Sequence, residues 1–211
     1  MLTVSKAINK RRSVRNFKRE PVSEEMILQM LESARLAPSG SNSQPWRFIV
    51  VTDQKEKTRL RQVSQAQATI EDAGVVFVTC ADLSVYSKQS FLQRRQEAIT
   101  AGILPASSLS DPEFLQRLET MLTGAQTENL VRATANTYIA AEHIVLTATA
   151  LGLGSCWIGA FDHEAVKKFY ILPDHLQVAV LIAVGYATAV PPLRPHLPLK
   201  DILLRPYPDK K

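Results

Sequence analysis

Six basic side chains lie close together in the stretch KRRSVRNFKR, residues 10–19. Guanidinium groups bind the oxygens of phosphates and carboxylates in pairs, so the cluster is suited to an anion. A nucleic acid, a membrane surface and a phosphorylated small molecule are the candidates, and a solvated basic surface is the alternative. Arg194, His196 and Lys200 form a second basic group. If the two groups meet in the fold, they make one anion pocket.

Composition argues against a nucleic acid as this anion. The 211 residues carry a formal net charge of +5, with 45% hydrophobic and 21% charged residues, as in an ordinary globular protein. We expect one domain over residues 1–211. Outside residues 10–19 the basic residues alternate with acidic ones, whereas a nucleic-acid surface usually extends further. Phe17 is the only aromatic residue of the cluster, so bases have little to stack on.

The lack of a recognisable targeting signal and the cysteine usage favour a cytoplasmic protein. No apolar run has the length of a transmembrane helix, and the first residues contain no secretory signal. Cys80 and Cys156 lie in apolar runs, outside any disulfide framework or CxxC pair, and small buried hydrophobic residues are the better interpretation. We therefore expect no membrane partner.

The sequence lacks the common active-site motifs. Its glycines form no GxGxxG or GxxxxGK[ST] loop, and no GxSxG turn occurs. The histidines at 143, 163, 175 and 196 are not spaced as metal ligands, so no metal is expected. Since no protein nucleophile is obvious either, the chemistry points to a bound cofactor.

A second candidate binding segment is the polar stretch APSGSNSQPW, residues 37–46, between a helix and a strand. Its amides and backbone N–H groups can be directed at a planar heterocycle with several hydrogen-bonding edges. From loop chemistry alone, an ordinary turn with Asn42 and Gln44 in solvent is favoured.

Helices alternating with apolar strands would position these segments. Ser23 is a good N-cap for a helix that Pro38 ends, and Asp162 is an N-cap further along. Gly152 is a natural stop for a long helix over about 128–151. Further helices are predicted at 3–9 and 53–66, and strands at WRFIVVTD, GVVFVTCAD, GSCWIGAF and QVAVLIAVGY. Residues 84–125 are interpreted as a variable helical excursion, and 191–198 as an extended tail.

Four motifs, in this order and spacing, resemble the FMN-dependent nitroreductase family. They are RRSVR (11–15), PSGSNSQPW (38–46), GLGSCWIGAF (152–161) and VLIAVGY (180–186) followed by the basic, proline-rich tail. The first two are specific in combination, and the resemblance covers nearly the whole chain. It implies an α+β fold with a mostly antiparallel sheet flanked by helices. It also implies an intertwined homodimer with FMN at the subunit interface.

The resemblance assigns roles to individual residues. Arg11, Ser13 and Arg15 would hold the FMN phosphate, and the amides of the polar stretch would hydrogen-bond the flavin ring or ribityl chain. Backbone groups near Gly159 would approach the ring, because a glycine there leaves room for a flat ligand. The complete cofactor-binding set is Arg11, Arg12, Ser13, Arg15, Pro38, Ser39, Asn42, Gln44, Ile158, Gly159, Ala160, Arg194 and His196.

Two positions are less clear from the residues themselves. For Arg12, as for Lys10, Lys18 and Arg19, a solvated basic surface is the preferred interpretation. His196 stands where many relatives carry an arginine, so its contribution to the phosphate site is open.

The implied activity is ping-pong transfer of hydride from NADH or NADPH to flavin N5 and then to a small acceptor, such as a nitroaromatic or a quinone. No side chain acts as a nucleophile, and residues 84–125 would line part of the acceptor pocket. Three alternatives remain. They are another flavin chemistry (dehalogenation, azoline oxidation or flavin cleavage), flavin binding without turnover, and RNA or membrane binding by the basic segment.

Overall fold

The computed structural model describes residues 2–123 and 126–204, apart from the side chain of Met121. Its strands are β1 (Trp46–Val51), β2 (Val75–Asp82), β3 (Gly154–Ile158) and β4 (Leu176–Gly185). Its α-helices are α1 (Val4–Lys10), α2 (Glu24–Arg35), α3 (Gln54–Gln62), α4 (Ala68–Asp72), α5 (Lys88–Thr100), α6 (Pro112–Thr123), α7 (Gln126–Ala150), α8 (His163–Phe169) and α9 (Leu199–Ile202).

The four strands form one antiparallel sheet in the order β1-β2-β4-β3. The predicted α+β fold with a mostly antiparallel sheet is therefore confirmed. Phe77 of β2 is opposite Ile182 of β4, and Cys156 of β3 is opposite Ala183. The apolar run WRFIVVTD predicts a buried strand, but β1 lies at an edge of the sheet. In the described structure it pairs with β2 alone, and its interior residues are partly exposed.

Hydrophobic clusters cover both faces of the sheet. On one face Met30 of α2 and Ile144 of α7 pack against Phe77. On the other, Leu60 of α3 and Val166 of α8 belong to a second cluster. Burial on both faces explains why the central strands read as continuous apolar runs rather than as alternating ones.

The predicted helix ends are confirmed where a local cap sets them. Ser23 Oγ accepts from Met26 N (3.3 Å), and Asp162 Oδ1 accepts from Ala165 N (3.0 Å). Gly152 follows α7 with a φ of 82°, the left-handed conformation typical of a residue just past a helix. The helix predicted to end at Pro38 ends earlier, at Arg35.

Residues 84–123 form helices α5 and α6, joined through the 3-10 turn Ala106–Ser110, while Gly124 and Ala125 lie outside the described residues. The stacking of Arg95 on the Phe114 ring, 3.8 Å from Cζ to ring centroid, ties α5 to α6. The single domain over 1–211 and the limits of the excursion stay predictions. Within the described ranges, no helix has the length and apolar character needed to span a bilayer.

Candidate functional site

The basic segment lies along the outer edge of β3. Ser13 forms a parallel bridge with Ser155, and Val14 N donates to the Ser155 carbonyl (2.9 Å). A side chain at Gly154 would place its Cβ 2.8 Å from Val14 Cγ2. Glycine at 154 is therefore what allows the segment to pack closely on β3.

The same segment continues beside the chain that leaves β4. Phe17 bridges Ala187, and Thr188 N donates to the Asn16 carbonyl (3.1 Å). This pairing fixes where the proline-rich tail starts and directs it back over residues 11–15. The tail then lines one side of a cavity whose other side is the basic segment.

The cavity has a volume of about 470 Å³ and brings the two basic groups together. It is lined by Arg11, Arg12, Ser13, Arg15, Pro191, Pro192, Leu193, Arg194, Pro195 and His196. We call it the basic cavity. Lys200 is not among its lining residues. In the described part of the chain, none of the four lining arginines forms a salt bridge, so their positive charge is left for an anion.

Arg12 corrects the expectation of a solvated side chain. It is half-buried, and its Nη1 donates to the Asn9 carbonyl (2.7 Å) and the Arg11 carbonyl (2.8 Å) at the end of α1. Lys10 and Lys18 are exposed as expected. Arg19 is exposed but pairs with an acid elsewhere, Asp72 (2.7 Å).

Residues 64–69, the turn after α3 and the first residues of α4, join two parts of the predicted site, and the sequence analysis missed them. Gln67 Nε2 donates to the Ala160 carbonyl (2.7 Å), and Thr69 Oγ1 donates to the Arg15 carbonyl (3.1 Å). A helix was predicted through residue 66. Instead α3 ends at Gln62, and Gln65 and Ala66 both have a φ of 54°. No sequence signal marks this turn, because neither residue is a glycine.

The predicted segment 158–160 follows β3. Ile158 is buried, while Gly159 and Ala160 are exposed. A Cβ built at Gly159 meets nothing within 4 Å. Packing inside the chain therefore does not require this glycine, and the open space beside it is available to a ligand.

Glu142 of α7 is a second residue that sequence reasoning missed. Burial raises the pKa of its carboxyl group, and the nearby Arg11 charge and the Trp157 side chain only partly oppose that rise. Glu142 therefore lies near Arg11 of the basic cavity but, among the described residues, forms no ion pair with it.

The polar loop, residues 38–45, has a strained backbone. Ser41, Asn42 and Gln44 have φ values of 53°, 52° and 48°. Ser39 Oγ accepts from Gln44 N (3.0 Å), which holds the turn closed. Left-handed residues other than glycine are costly, and they persist where function uses the geometry. Pro38 and Asn42 are exposed, so the loop presents groups to the surface.

The structure does not bring the polar loop to the basic cavity within one chain. The loop leads into β1, at one edge of the sheet, and residues 11–15 lie beyond β3, at the other. Four strand spacings of about 4.8 Å, or about 19 Å, separate them. The predicted residues thus form two groups, with Pro38, Ser39, Asn42 and Gln44 apart from the basic ones.

The polar loop instead faces the helical excursion. Ser41 and Asn42 line a cavity of about 570 Å³ together with side chains of α5 and α6, among them Phe91 and Phe114. In the described ranges, no group of three or more His, Cys, Asp or Glu side chains is arranged to hold a metal ion.

Comparison with known proteins identifies the family. The Nitroreductase family matches residues 8–186. The chain is also 33% identical over 204 residues to a protein of Thermus thermophilus named NADH dehydrogenase, with 97% of this chain and 96% of the relative covered. This chain belongs to the nitroreductase family.

Solved structures share the nitroreductase fold of this chain. The Bacillus subtilis protein ydfN, assigned to the nitroreductases, is 25% identical with a TM-score of 0.85, over 95% of this chain and 97% of ydfN. A nitroreductase-fold protein of Exiguobacterium sibiricum, whose structure is a complex with FMN, is 22% identical with a TM-score of 0.84, over 96% and 97%. The family and fold implied by the sequence motifs are therefore confirmed.

Proposed function

We propose that this nitroreductase-family chain binds FMN and reduces small organic acceptors, nitroaromatics or quinones, at the expense of NADH or NADPH. The observation that carries the proposal is the convergence of four arginines, without salt-bridge partners in the described chain, on one cavity of about 470 Å³. Bound FMN would supply two-electron redox chemistry between the dinucleotide and the acceptor.

The basic cavity would hold the FMN phosphate. Arg11, Arg15 and Arg194 can donate paired hydrogen bonds to its oxygens, and Ser13 adds a hydroxyl. Such charge-assisted bonds are the strong ones, because the phosphate carries close to two negative charges at neutral pH. Arg12 is less free, since its Nη1 already donates to two carbonyls.

The open main chain at Gly159 and Ala160 would receive the flavin ring. Gln67 holds the Ala160 carbonyl, and Thr69 holds the Arg15 carbonyl, so residues 64–69 help to set the distance between ring and phosphate contacts. No protein side chain is needed as a nucleophile. The protein's part is to bind, orient and exclude water.

The polar loop that contacts the same flavin would come from a second copy of the chain. Asn42 and Gln44 lie at the opposite edge of the sheet, about 19 Å from the basic segment by strand spacing. Exposed apolar side chains support an extensive homodimer, including Val4 of α1, Val131 of α7 and Leu197 of the tail, which are 71%, 62% and 69% exposed.

A cytoplasmic location belongs to the same proposal. Cys80 and Cys156 are both free and buried. Burial raises the pKa of Cys80 to about 12, so this thiol is not a reactive group and fits a structural role in a reducing compartment.

The test begins with the purified protein. We expect a flavin absorption spectrum, anaerobic bleaching by NADH or NADPH, and recovery of the spectrum when an acceptor is added. A panel of nitroaromatics and quinones then ranks the acceptors. A colourless protein that takes up no FMN would contradict the binding, and bound flavin that neither dinucleotide reduces would indicate a carrier.

A further inference from the structure

Two cavities adjoin the polar loop on the side of the helical excursion, and Arg94 of α5 lines both. The larger, about 570 Å³, is apolar in character, with Phe91, Phe114 and Leu104 in its lining. The smaller, about 310 Å³, is lined mostly by hydroxyl, amide and guanidinium groups. Arg94 is therefore placed between a compartment for an apolar ring and a compartment for polar groups.

Two of the other arginines of these cavities are already engaged. Arg47 pairs with Asp82 (2.7 Å) and donates to the Gln44 carbonyl (2.9 Å), so it supports the loop. Arg95 stacks on Phe114 and donates to the Ser108 carbonyl (2.7 Å). Both side chains therefore line the cavities but are not free to bind a ligand anion.

Arg94 and Arg117 each have a single carboxylate partner within their own helix. Arg94 Nη1 is 2.7 Å from Glu97, and Arg117 Nη2 is 3.2 Å from Glu113. Arg117 lines only the larger cavity, and its side chain is 76% exposed, against 32% for Arg94. Surface ion pairs of this kind stabilise little, so a ligand anion held in the cavity can compete for Arg94.

Ser43 provides a second, independent sign of a ligand in the smaller cavity. The residue is 6% exposed and lines that cavity. Its hydroxyl has no hydrogen-bond partner in the described structure. Buried hydroxyls are normally satisfied, so an acceptor oxygen delivered by a ligand would complete the site.

We propose that Arg94 and Ser43 bind an oxyanion of an aromatic ligand whose ring occupies the cavity between Phe91 and Phe114. The inference rests on the proposed oxidoreductase function, because the ligand would be one of its two substrates. The anion is then either a phosphate of the nicotinamide dinucleotide or a carboxylate on the acceptor. Both sources share the chemistry that a guanidinium group and a hydroxyl recognise.

The experiment measures binding by calorimetry to the FMN-loaded protein, in which the basic cavity is already filled. ADP-ribose, the redox-inert part of the dinucleotide, is compared with neutral adenosine. In the second arm, 4-nitrobenzoate is compared with neutral nitrobenzene. The variants are Arg94→Gln, which loses the charge, and Arg94→Lys, which keeps it without the paired donors. Lys88→Gln is the matched control, since Lys88 is an exposed cation of α5 that lines neither cavity.

We expect Arg94→Gln to weaken binding of at least one anionic probe by about ten- to a hundredfold, the effect of a lost charge-assisted hydrogen bond. Adenosine and nitrobenzene should bind alike in all proteins, and Arg94→Lys should fall between wild type and Arg94→Gln. The arm that responds identifies the dinucleotide or the acceptor as the source of the anion.

Equal affinities of wild type and Arg94→Gln for both anionic probes would overturn the proposal. An equally large loss of affinity in Lys88→Gln would also overturn it, because the effect would then come from the overall charge of α5 rather than from Arg94. Because neither measurement needs turnover, the outcome is separate from that of the proposed function. A protein without NAD(P)H oxidation could still show binding that depends on Arg94.

Discussion

Gln67 Nε2 donates a 2.7 Å hydrogen bond to the carbonyl of Ala160, a residue 93 positions later in the chain. The same amide nitrogen donates to the Ser64 carbonyl (3.1 Å). This contact holds the segment after β3 against residues 64–69, which also hold Arg15 through Thr69. Together with the pairing of Ser13 and Ser155, Gln67 therefore helps to set the relative position of the proposed ring and phosphate contacts.

Gln67→Leu should weaken FMN binding by about five- to tenfold, because about 1 kcal/mol is lost for each missing hydrogen bond and the Ala160 segment is less well held. The measurement is an FMN titration followed by flavin fluorescence. Gln54→Leu is the control, since Gln54 Nε2 donates to the Glu71 carbonyl (3.1 Å) and lines no described part of the basic cavity. Equal FMN affinities of the two variants would contradict the role of Gln67.

Arg15→Ala should weaken FMN binding by about ten- to a hundredfold, the effect of a charge-assisted hydrogen bond lost from a phosphate. Arg15 is exposed, and its only described side-chain bond is a long one (3.4 Å) to the Ser13 carbonyl, so folding should not suffer. Arg19→Ala removes a neighbouring charge that lies outside the basic cavity, and should leave affinity unchanged. An unaltered dissociation constant in Arg15→Ala would remove this residue from the site.

A mixed dimer tests whether two chains build each FMN site. One chain carries Arg15→Ala, and the other, with a different tag, carries Asn42→Ala and Gln44→Ala. If the basic segment and the polar loop of one site come from different chains, the purified mixed dimer has one intact site. We expect it to bind about one FMN per dimer with wild-type affinity, while each homodimer binds weakly.

Uniformly weak binding in the mixed dimer would mean that both segments of a site come from the same chain. Gel filtration of the wild type gives the complementary result. A flavin-loaded species with the mass of one subunit would contradict the dimeric site altogether.

Glu142→Gln should stabilise the protein at neutral pH. Burial raises the pKa of the Glu142 carboxyl in the folded protein, so folding favours its protonated form. In the wild type this preference adds to the free energy of unfolding below the unfolded-state pKa of about 4.3. The contribution is lost as pH rises through the raised pKa of the folded protein. Glutamine has nearly the same size and shape as glutamate but does not ionise.

The check is thermal unfolding at saturating FMN from pH 4 to 8. The Tm of Glu142→Gln should exceed that of the wild type at pH 7, and the difference should shrink toward pH 4. A difference that does not change with pH would show that the charge of Glu142 is not responsible.

Ile171→Gly should raise stability by about 0.5–1 kcal/mol, or a Tm increase of about 1–4 °C, because glycine tolerates a left-handed backbone and a β-branched residue does not. Ile171 has a φ of 51° just past α8 and is 90% exposed, so its side chain contributes little packing. Ile171→Val keeps the β-branch and should match the wild type. Identical Tm values for the glycine and valine variants would argue against backbone strain at this turn.

Local chemistry explains which parts of this fold the sequence could predict. The caps at Ser23, Asp53 and Asp162 act on backbone groups two or three residues away, so they mark helix starts without knowledge of the fold. The apolar runs of β2 and β4 likewise predict buried strands directly. The end of α3 could not be predicted, because Gln65 and Ala66 take left-handed conformations that neither residue type favours. The bonds between Arg61 and Ala66 that accompany this turn leave no signal in the sequence.

The candidate site, like the fold, has features that the sequence determined and features that it did not. Sequence motifs by themselves determined the residue types of a phosphate-binding segment and a polar loop, and the family that combines them. Only the tertiary structure decided that Arg15 and Asn42 lie at opposite edges of one sheet, and that Arg94 lies between two cavities beside the polar loop. Strand order and helix packing result from contacts between residues far apart in the chain, and such contacts leave no periodic signal in the sequence.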